Sequence, residues 1–322
     1  MTYEATVATP VEEVHERPQT PTALACPAYL LNAPFSYATD VANNVWMEEI
    51  ELAERAPDAR RAMVQFLELY RFLASEALVY VLPTPVGCGL QDLVFTANLG
   101  VVFEHLPGND TVVVSNFTSE PRRGETDVGR RFFELMGYRT HVSPHRFEGD
   151  AELKHLHDNV YVGGYGIRSE RETFSWMEET FDMKVVTLRE TDPYLYHVDC
   201  TVFPLTRDDT LVCTELYEGE EIAELEQYTN IIDIPADVAY TGICNSVRLG
   251  NLVLNASHIQ ELEAGTEDYD AELKKNRMLE DIAVKHALEV NYFNLSEYHK
   301  GGALLSCMVM HLNRRSYDIQ LI

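Results

Sequence analysis

The string HKGGALLSCMVMHL places Cys307 behind two glycines, Gly301 and Gly302, and leads into an apolar run. A lone buried cysteine is more often packing than chemistry, so its meaning depends on its company. In YHVDC, His197 and Asp199 stand two residues apart, a spacing that on a strand puts both side chains on one face. A carboxylate beside an imidazole steadies its charged form. FEGDAE offers Glu148 next to Gly149, which lets backbone approach closely, and FTANLG offers Asn98 inside an otherwise apolar strand-like run. A polar group in such a place costs free energy unless it has a partner. Taken singly, each has a structural explanation: Asn98 bonded to its own backbone, Glu148 capping the helix-like stretch after it, His197 a hydrogen-bonded core residue. Taken with a thiol, they are the parts for nucleophilic attack assisted by a general acid and base. Neither the G-x-S-x-G turn of serine hydrolases nor a G-x-x-x-x-G-K phosphate loop is present.

Positioning these residues falls to a repeat. GNDTVVVSNF from Gly108, HDNVYVGGYG from His157, RDDTLVCTEL from Arg207 and RLGNLVLNAS from Arg248 share one grammar, a polar turn feeding a strand. Asn, Asp and Gly accept the tight backbone of the turn, and the Val/Leu/Tyr runs suit a buried pleated surface. Each therefore reads as the second arm of a hairpin. Strand-like runs precede the turns (DLVFTANLGVVF, LYHVDCTVFPL, AYTGICNSV), helix candidates follow (ETDVGRRFFELMG, RETFSWMEETF, EGEEIAELEQY), and then a last strand such as MKVVTLRE or NIIDI. The unit is strand, strand, helix, strand, with a period of roughly 40–50 residues. An opening unit at ACPAYLLNAPFSYATD, with the helix APDARRAMVQFLELYRFLASEA and the strand LVYVLPTP, and a closing stretch around Cys307 bring the number to about five. Such units stack on their neighbours, and closure into a ring brings loops from all of them to one mouth.

Composition narrows the function classes. The 322 residues, 46% of them hydrophobic, suffice for one large domain or two ordinary ones. A net charge of −27, from 52 acidic and 25 basic residues, repels nucleic acid and anionic membrane surfaces. Cys26, Cys88, Cys200, Cys213, Cys244 and Cys307 show no C-x-x-C spacing, which points to neither a zinc site nor a disulfide framework and fits reduced thiols in a cytoplasm. The first 24 residues carry acids and prolines where a signal peptide needs a basic start and an apolar run. No stretch approaches the roughly 20 apolar residues of a membrane helix.

In chain order, FTANLG, RRGE, FEG, GYGIRS, HVD and a glycine pair before a late cysteine resemble the guanidino-group-modifying enzymes of the pentein superfamily. These are arginine deiminases, dimethylarginine hydrolases, amidinotransferases and arginine dihydrolases. The likeness runs from about Tyr29 to Cys307. It implies an α+β fold, a five-fold pseudosymmetric α/β propeller of ββαβ units, with residues 25–322 as a single catalytic domain behind a flexible tail over 1–24. It implies Cys307 as nucleophile, His197 as acid and base, and Glu148 and Asp199 as the carboxylates that grip a guanidinium. Arg168 and Arg122 match the family's clamps for an amino-acid carboxylate, a bidentate task suited to arginine. Asn44 of NNVWM matches a substrate-loop residue, with Val45 replacing the usual proline. FEGDAE departs from the commoner F-E-G-x-G-D, which leaves Asp150 without a role.

The chemistry is coherent. A guanidinium is planar and presents a fork of N–H donors, so acceptor-only carboxylates along its edge hold it flat. Its delocalised carbon is a poor electrophile that a thiolate can attack, and a bound cation lowers the thiol pKa. His197 protonates the departing ammonia and then draws a proton from water to clear the thiouronium. The glycine pair is expected to bring the backbone close enough for Cys307 to reach the carbon. Asn98 stands where deiminases and amidinotransferases carry aspartate, and T-A-N resembles dihydrolases. An amide donates to a neutral ureido oxygen where a carboxylate cannot, so the site is expected to keep citrulline and attack it again. The favoured reaction is arginine to ornithine, carbon dioxide and two ammonias. An amidinotransferase, a deiminase and a dimethylarginine hydrolase are the alternatives, and a non-catalytic binding pentein is the reading from another class. No metal or organic cofactor is implied, because the sulfur holds the intermediate. The expected partner is a small guanidino compound, and homo-oligomerisation is left open.

Overall fold

The computed structural model describes residues 19–318. Among them, five three-stranded sheets succeed one another along the chain. The first contains β1 (Ala28–Leu31), β2 (Leu78–Val81) and β15 (Met310–His311); the second β3 (Gly100–Phe103), β4 (Thr111–Val114) and β5 (Arg139–Val142); the third β6 (Leu153–His157), β7 (Val160–Tyr165) and β8 (Lys184–Arg189). The fourth holds β9 (Val202–Pro204), β10 (Asp209–Val212) and β11 (Asn230–Asp233), and the fifth β12 (Val247–Leu249), β13 (Leu252–Ala256) and β14 (Glu289–Phe293). In each, the middle strand runs antiparallel to one neighbour and parallel to the other. A parallel pair needs a crossover, supplied by helices Ala59–Glu76, Glu125–Leu135, Arg171–Phe181, Gly219–Leu225 and Glu267–Lys285. The first of these shows why they form. Asp58 caps it by accepting from the Arg61 amide, and Ala62, Phe66, Leu69 and Leu73 recur on one buried face.

The architecture is thus mixed α+β with a pseudo-fivefold repeat, and the four quoted turn-and-strand segments are β4, β7, β10 and β13. The opening and closing stretches share one sheet, with Tyr29 opposite His311 and Leu30 opposite Met310. Alternate residues of a strand face opposite ways, and in the second sheet β3 and β4 are buried on both faces. Val102, Val112 and Val114 pack with Ala28, Leu30 and Met310, while Val101, Phe103 and Val113 pack with Leu153, Tyr161 and Val185. Similar clusters join the third sheet to the fourth, the fourth to the fifth, and the fifth to the first. Burial on both faces explains why the middle strands read as unbroken apolar runs.

The first arms differ from expectation. DLVFTANLGVVF is strand only from Gly100, because β4 ends at Val114 opposite it; the residues before Gly100 turn into a 3-10 segment, Thr96–Leu99, whose last two carbonyls accept from Ser115 just beyond β4. Likewise β10 ends at Val212 opposite Val202, and Val198–Cys200 forms a turn closed by the Cys200 amide on the His197 carbonyl at 3.0 Å. Asn98 is therefore not in a strand, and His197 and Asp199 do not share a strand face. Cys307 sits in the short helix Leu305–Met308, ahead of β15. Of the tail expected over 1–24, residues 1–18 lie outside the described residues. Thr20 and Thr22 are packed, their hydroxyls bonded to the Asn109 carbonyl at 2.5 Å and the Tyr138 hydroxyl at 2.7 Å. No described helix is long and apolar enough to cross a membrane.

Candidate active site

Asn98, Glu148, Asp199, Asn245 and Cys307 each lie in or beside the turn that precedes the first strand of one unit. The repeat therefore delivers one polar or nucleophilic side chain per unit to the same end of the molecule.

Cys307 is buried. Its sulfur accepts from Asn245 Nδ2 at 3.4 Å and faces Asp199 Oδ2 at 3.9 Å. Asp199 Oδ2 also accepts from the Ser306 hydroxyl at 2.5 Å, and Oδ1 faces the Cys200 thiol at 3.6 Å. Burial, and then the negative charge of Asp199, push the Cys307 thiol up to about 12. At neutral pH it is a protonated thiol waiting for a positive charge.

His197 Nε2 lies 2.8 Å from Glu148 Oε2, and both residues are buried. Burial works to raise the Glu148 pKa, but Arg168 and the His197 hydrogen bond outweigh it and hold the carboxyl well below the usual carboxylate range. Burial lowers the His197 pKa despite that partner. The pair at neutral pH is thus a neutral imidazole donating Nε2–H to a carboxylate, which leaves the lone pair on Nδ1 as the site of proton exchange. Glu148 Oε1 accepts from the Thr118 amide at 3.2 Å.

The remaining residues divide. Asn98 presents Nδ2 to the Glu148 carbonyl at 3.4 Å. Gly149 makes this approach feasible: its φ is +69°, and a Cβ there would lie 2.5 Å from the Ala97 carbonyl oxygen. Arg168 lies 3.5 Å from Glu148 Oε2, donates to the Asn43 carbonyl at 2.6 Å and stacks over Tyr196. Arg122 gives its fork to Glu125 at 3.0 and 2.8 Å, so its bidentate capacity is already engaged, although it borders the same cavity. Asn44 accepts from the Met47 amide as a helix cap and donates to the Gly301 carbonyl at 3.0 Å. The glycine pair serves this loop and not the sulfur. A Cβ on Gly301 would lie 2.9 Å from the Tyr37 hydroxyl, and one on Gly302, at φ +75°, 2.7 Å from the Asn44 side chain. Asp150 points elsewhere, to His311 at 2.9 Å and Arg314 at 2.6 Å.

Cys307, His197, Asn98, Arg168, Arg122 and Asn44 border one narrow cavity. Two further residues belong to this region. Asp92 lines the cavity and accepts from Asn43 at 2.6 Å; burial raises its pKa against the pull of Arg122. Nothing in QDLVF marks it. Asn245 accepts from the Ser306 amide at 2.8 Å while donating to the sulfur, and its signal is its place in the fifth unit, equivalent to Asn98 and Asp199. Among the described residues, no group of three or more His, Cys, Asp or Glu is placed to hold a metal.

A family model described as N,N dimethylarginine dimethylhydrolase, eukaryotic, matches residues 33–314. The chain belongs to this family. It is accordingly a member of the guanidino-group-modifying pentein superfamily. It is 30% identical over 70% of its length to AgrE of Nostoc sp., a bifunctional arginine dihydrolase/ornithine cyclodeaminase. It is 29% identical over 57% of its length to the N(G),N(G)-dimethylarginine dimethylaminohydrolase of Mycobacterium tuberculosis, covering 57% of that protein. The chain spans about a third of AgrE and of its Synechocystis counterpart ArgZ, 32% and 37%. Among solved structures, the N-terminal domain of ArgZ matches with a TM-score of 0.76 at 24% identity, over 89% of this chain and 97% of that one. Unliganded AgrE matches with a TM-score of 0.75 at 26% identity, over 89% and 39%.

Proposed function

We propose that this chain is a cysteine-dependent hydrolase of arginine-type guanidino compounds, acting as an arginine dihydrolase. The observation that carries the reading is the convergence of the Cys307 thiol and the His197–Glu148 pair on one cavity that Asn98 also lines. A guanidinium entering it adds a positive charge beside Asp199 and Glu148, which favours the Cys307 thiolate, and the thiol proton passes to His197. The sulfur bonds to the guanidino carbon, and the bond to one terminal nitrogen breaks as His197 supplies a proton. Water then attacks the thiouronium, His197 takes its proton, and the carbon–sulfur bond breaks to leave citrulline. Asn98, able to donate to the ureido oxygen, supports a second attack that gives ornithine, carbon dioxide and ammonia. The AgrE relative is described as an arginine dihydrolase, and a cysteine-to-alanine mutant of AgrE is known with L-arginine bound. Hydrolysis of dimethylarginine is the second reading, favoured by the family match over 33–314. Incubation with arginine, citrulline and dimethylarginine separates them. Two ammonias per ornithine support the dihydrolase, and dimethylamine with citrulline supports the alternative. Arginine turnover retained by Cys307→Ser at the wild-type rate would sink both.

The same reading takes residues 25–322 as a single catalytic domain in which the five units close into a propeller. Its support is that the five clusters link the sheets in cyclic order, the fifth back to the first. It also takes the protein as cytoplasmic, in keeping with six unpaired cysteines, and its partner as a small guanidino compound and not nucleic acid, in keeping with the −27 charge.

A further inference from the structure

The two attacks that a dihydrolase must make differ in one physical respect: arginine brings a positive charge to the sulfur, and citrulline does not. With a guanidinium in place, the cation offsets burial and Asp199, the two influences that push the Cys307 thiol up. A neutral ureido group offers no such help. A thiolate formed beside it must be held by the protein's own donors.

Asn245 has the geometry for that task. It is buried, and its Nδ2 lies 3.4 Å from the Cys307 sulfur. The Ser306 amide, which can only donate, bonds Asn245 Oδ1 at 2.8 Å and so fixes which end of the side chain faces the sulfur. The backbone is pinned as well. The Asn245 amide donates to the Gly242 carbonyl at 3.2 Å, and Asn255 Nδ2 reaches the Asn245 carbonyl at 3.4 Å and the Ser246 hydroxyl at 2.9 Å. Among the described residues, Asn245 is the one side chain that donates to this sulfur. The other influences that favour its negative charge are the Leu304 backbone and the charge of Lys154.

We propose that Asn245 is a further catalytic residue, the donor that holds the Cys307 thiolate when the partner is neutral citrulline, and thereby a determinant of whether the second hydrolysis takes place. The inference rests on the dihydrolase reading above. In that second attack the thiol proton passes to His197 and sulfur bonds to the ureido carbon. The bond to the terminal nitrogen breaks with its pair going to nitrogen, which takes the proton from His197 and leaves as ammonia. Water then adds to the thiocarbamate carbon, His197 takes its proton, and the carbon–sulfur bond breaks with its pair going to sulfur, which recovers the proton from His197. The carbamic acid of ornithine that remains loses carbon dioxide. Sulfur carries negative charge at the start and at the end of this sequence, each time facing Asp199 with no substrate cation beside it. Each time Asn245 Nδ2 is within reach to bond it.

The test is a ratio. Wild type and Asn245→Ala are compared by kcat/KM on arginine and on citrulline supplied separately, with citrulline and ornithine both measured. Loss of a hydrogen bond to a charged group costs about ten- to hundred-fold, and a guanidinium compensates for it where a ureido group cannot. The arginine-to-citrulline ratio should therefore rise about ten-fold or more, and the variant should accumulate citrulline from arginine. Damage to the fold lowers both values together and leaves the ratio where it was. Asn245→Asp keeps an acceptor for the Ser306 amide and should shift the ratio the same way if Asn245→Ala fails to fold. Iodoacetamide, a neutral electrophile whose reaction needs no turnover, should alkylate Cys307 in the variant about three-fold more slowly for each pKa unit gained. An unchanged ratio, or alkylation as fast as in wild type, overturns the proposal. Slower alkylation in a protein whose wild type never hydrolyses citrulline removes the dihydrolase reading, and with it the part in a second attack, while the sulfur's donor stands.

Discussion

Replacing Asp199 with asparagine should make Cys307 more reactive toward a small neutral alkylating agent while impairing turnover of a guanidinium. The thiol is pushed from an ordinary 9.0 to about 12, first by burial and then by Asp199. At pH 8 this cuts the thiolate fraction about 1000-fold relative to an ordinary thiol, and the greater nucleophilicity of a more basic thiolate returns roughly 20-fold. Wild-type Cys307 should therefore react with iodoacetamide about 50-fold more slowly than free cysteine. A unit charge at the observed 3.9 Å contributes at most about 4 kcal/mol at an effective dielectric of 20, or about three pKa units. The Ser306 hydroxyl on the same oxygen disperses part of that charge, so we expect the substitution to lower the thiol pKa by about one to two units. The same nucleophilicity correction converts this to an alkylation rate about three- to twelve-fold faster at pH 8. The assay is peptide-resolved mass spectrometry of alkylation against pH, which separates Cys307 from Cys200 beside it. An unchanged profile in Asp199→Asn, or a wild-type midpoint at or below 9, would refute the electrostatic account.

Gly149→Ala should be severe. The left-handed backbone alone costs an ordinary residue about 1–2 kcal/mol, and the added Cβ meets the Ala97 carbonyl at 2.5 Å; a melting temperature equal to wild type would show that the two turns do not need this contact. Glu148→Gln removes the partner that raises the His197 pKa, so the imidazole should titrate at still lower pH by NMR, with turnover down about 100-fold or more; a shift upward contradicts the pairing. Glu190 is buried facing Glu152, its side-chain hydrogen-bond partner, and burial raises both pKa values well above the ordinary 4.5. Acids with raised folded-state pKa values lose stability as pH climbs from the unfolded value toward the folded one. Glu190→Gln should therefore melt higher than wild type at pH 8, by about 2 °C or more, with the gap closing near pH 4.

The middle strands are legible in the sequence because both of their faces are buried, so apolar runs such as TVVV, Thr111–Val114, and VYV at the start of β7 stand out between Asn/Asp/Gly turns. The helix RETFSWMEETF is legible to the residue. The first strands are not. They run only two to five residues, and the apolar residues before them belong to turns that place polar groups at the site. Periodicity reads FTAN and HVDC as strand because a buried turn is as apolar as a buried strand. Asp92 and Asn245 escape for a related reason: each acquires meaning only from neighbours distant in the chain, Asn43 and Arg122 for one and Cys307 for the other.

The pairing of β15 with β1 has a consequence for the newly made polypeptide. The segment bearing Cys307 is held in place by residues 28–31, synthesised some 280 positions earlier, and the donors and acids around the sulfur come from every unit in between. A partly translated chain therefore carries, at most, an ordinary thiol. Any chemistry of that sulfur therefore waits until β1 and β15, so distant in the chain, have paired.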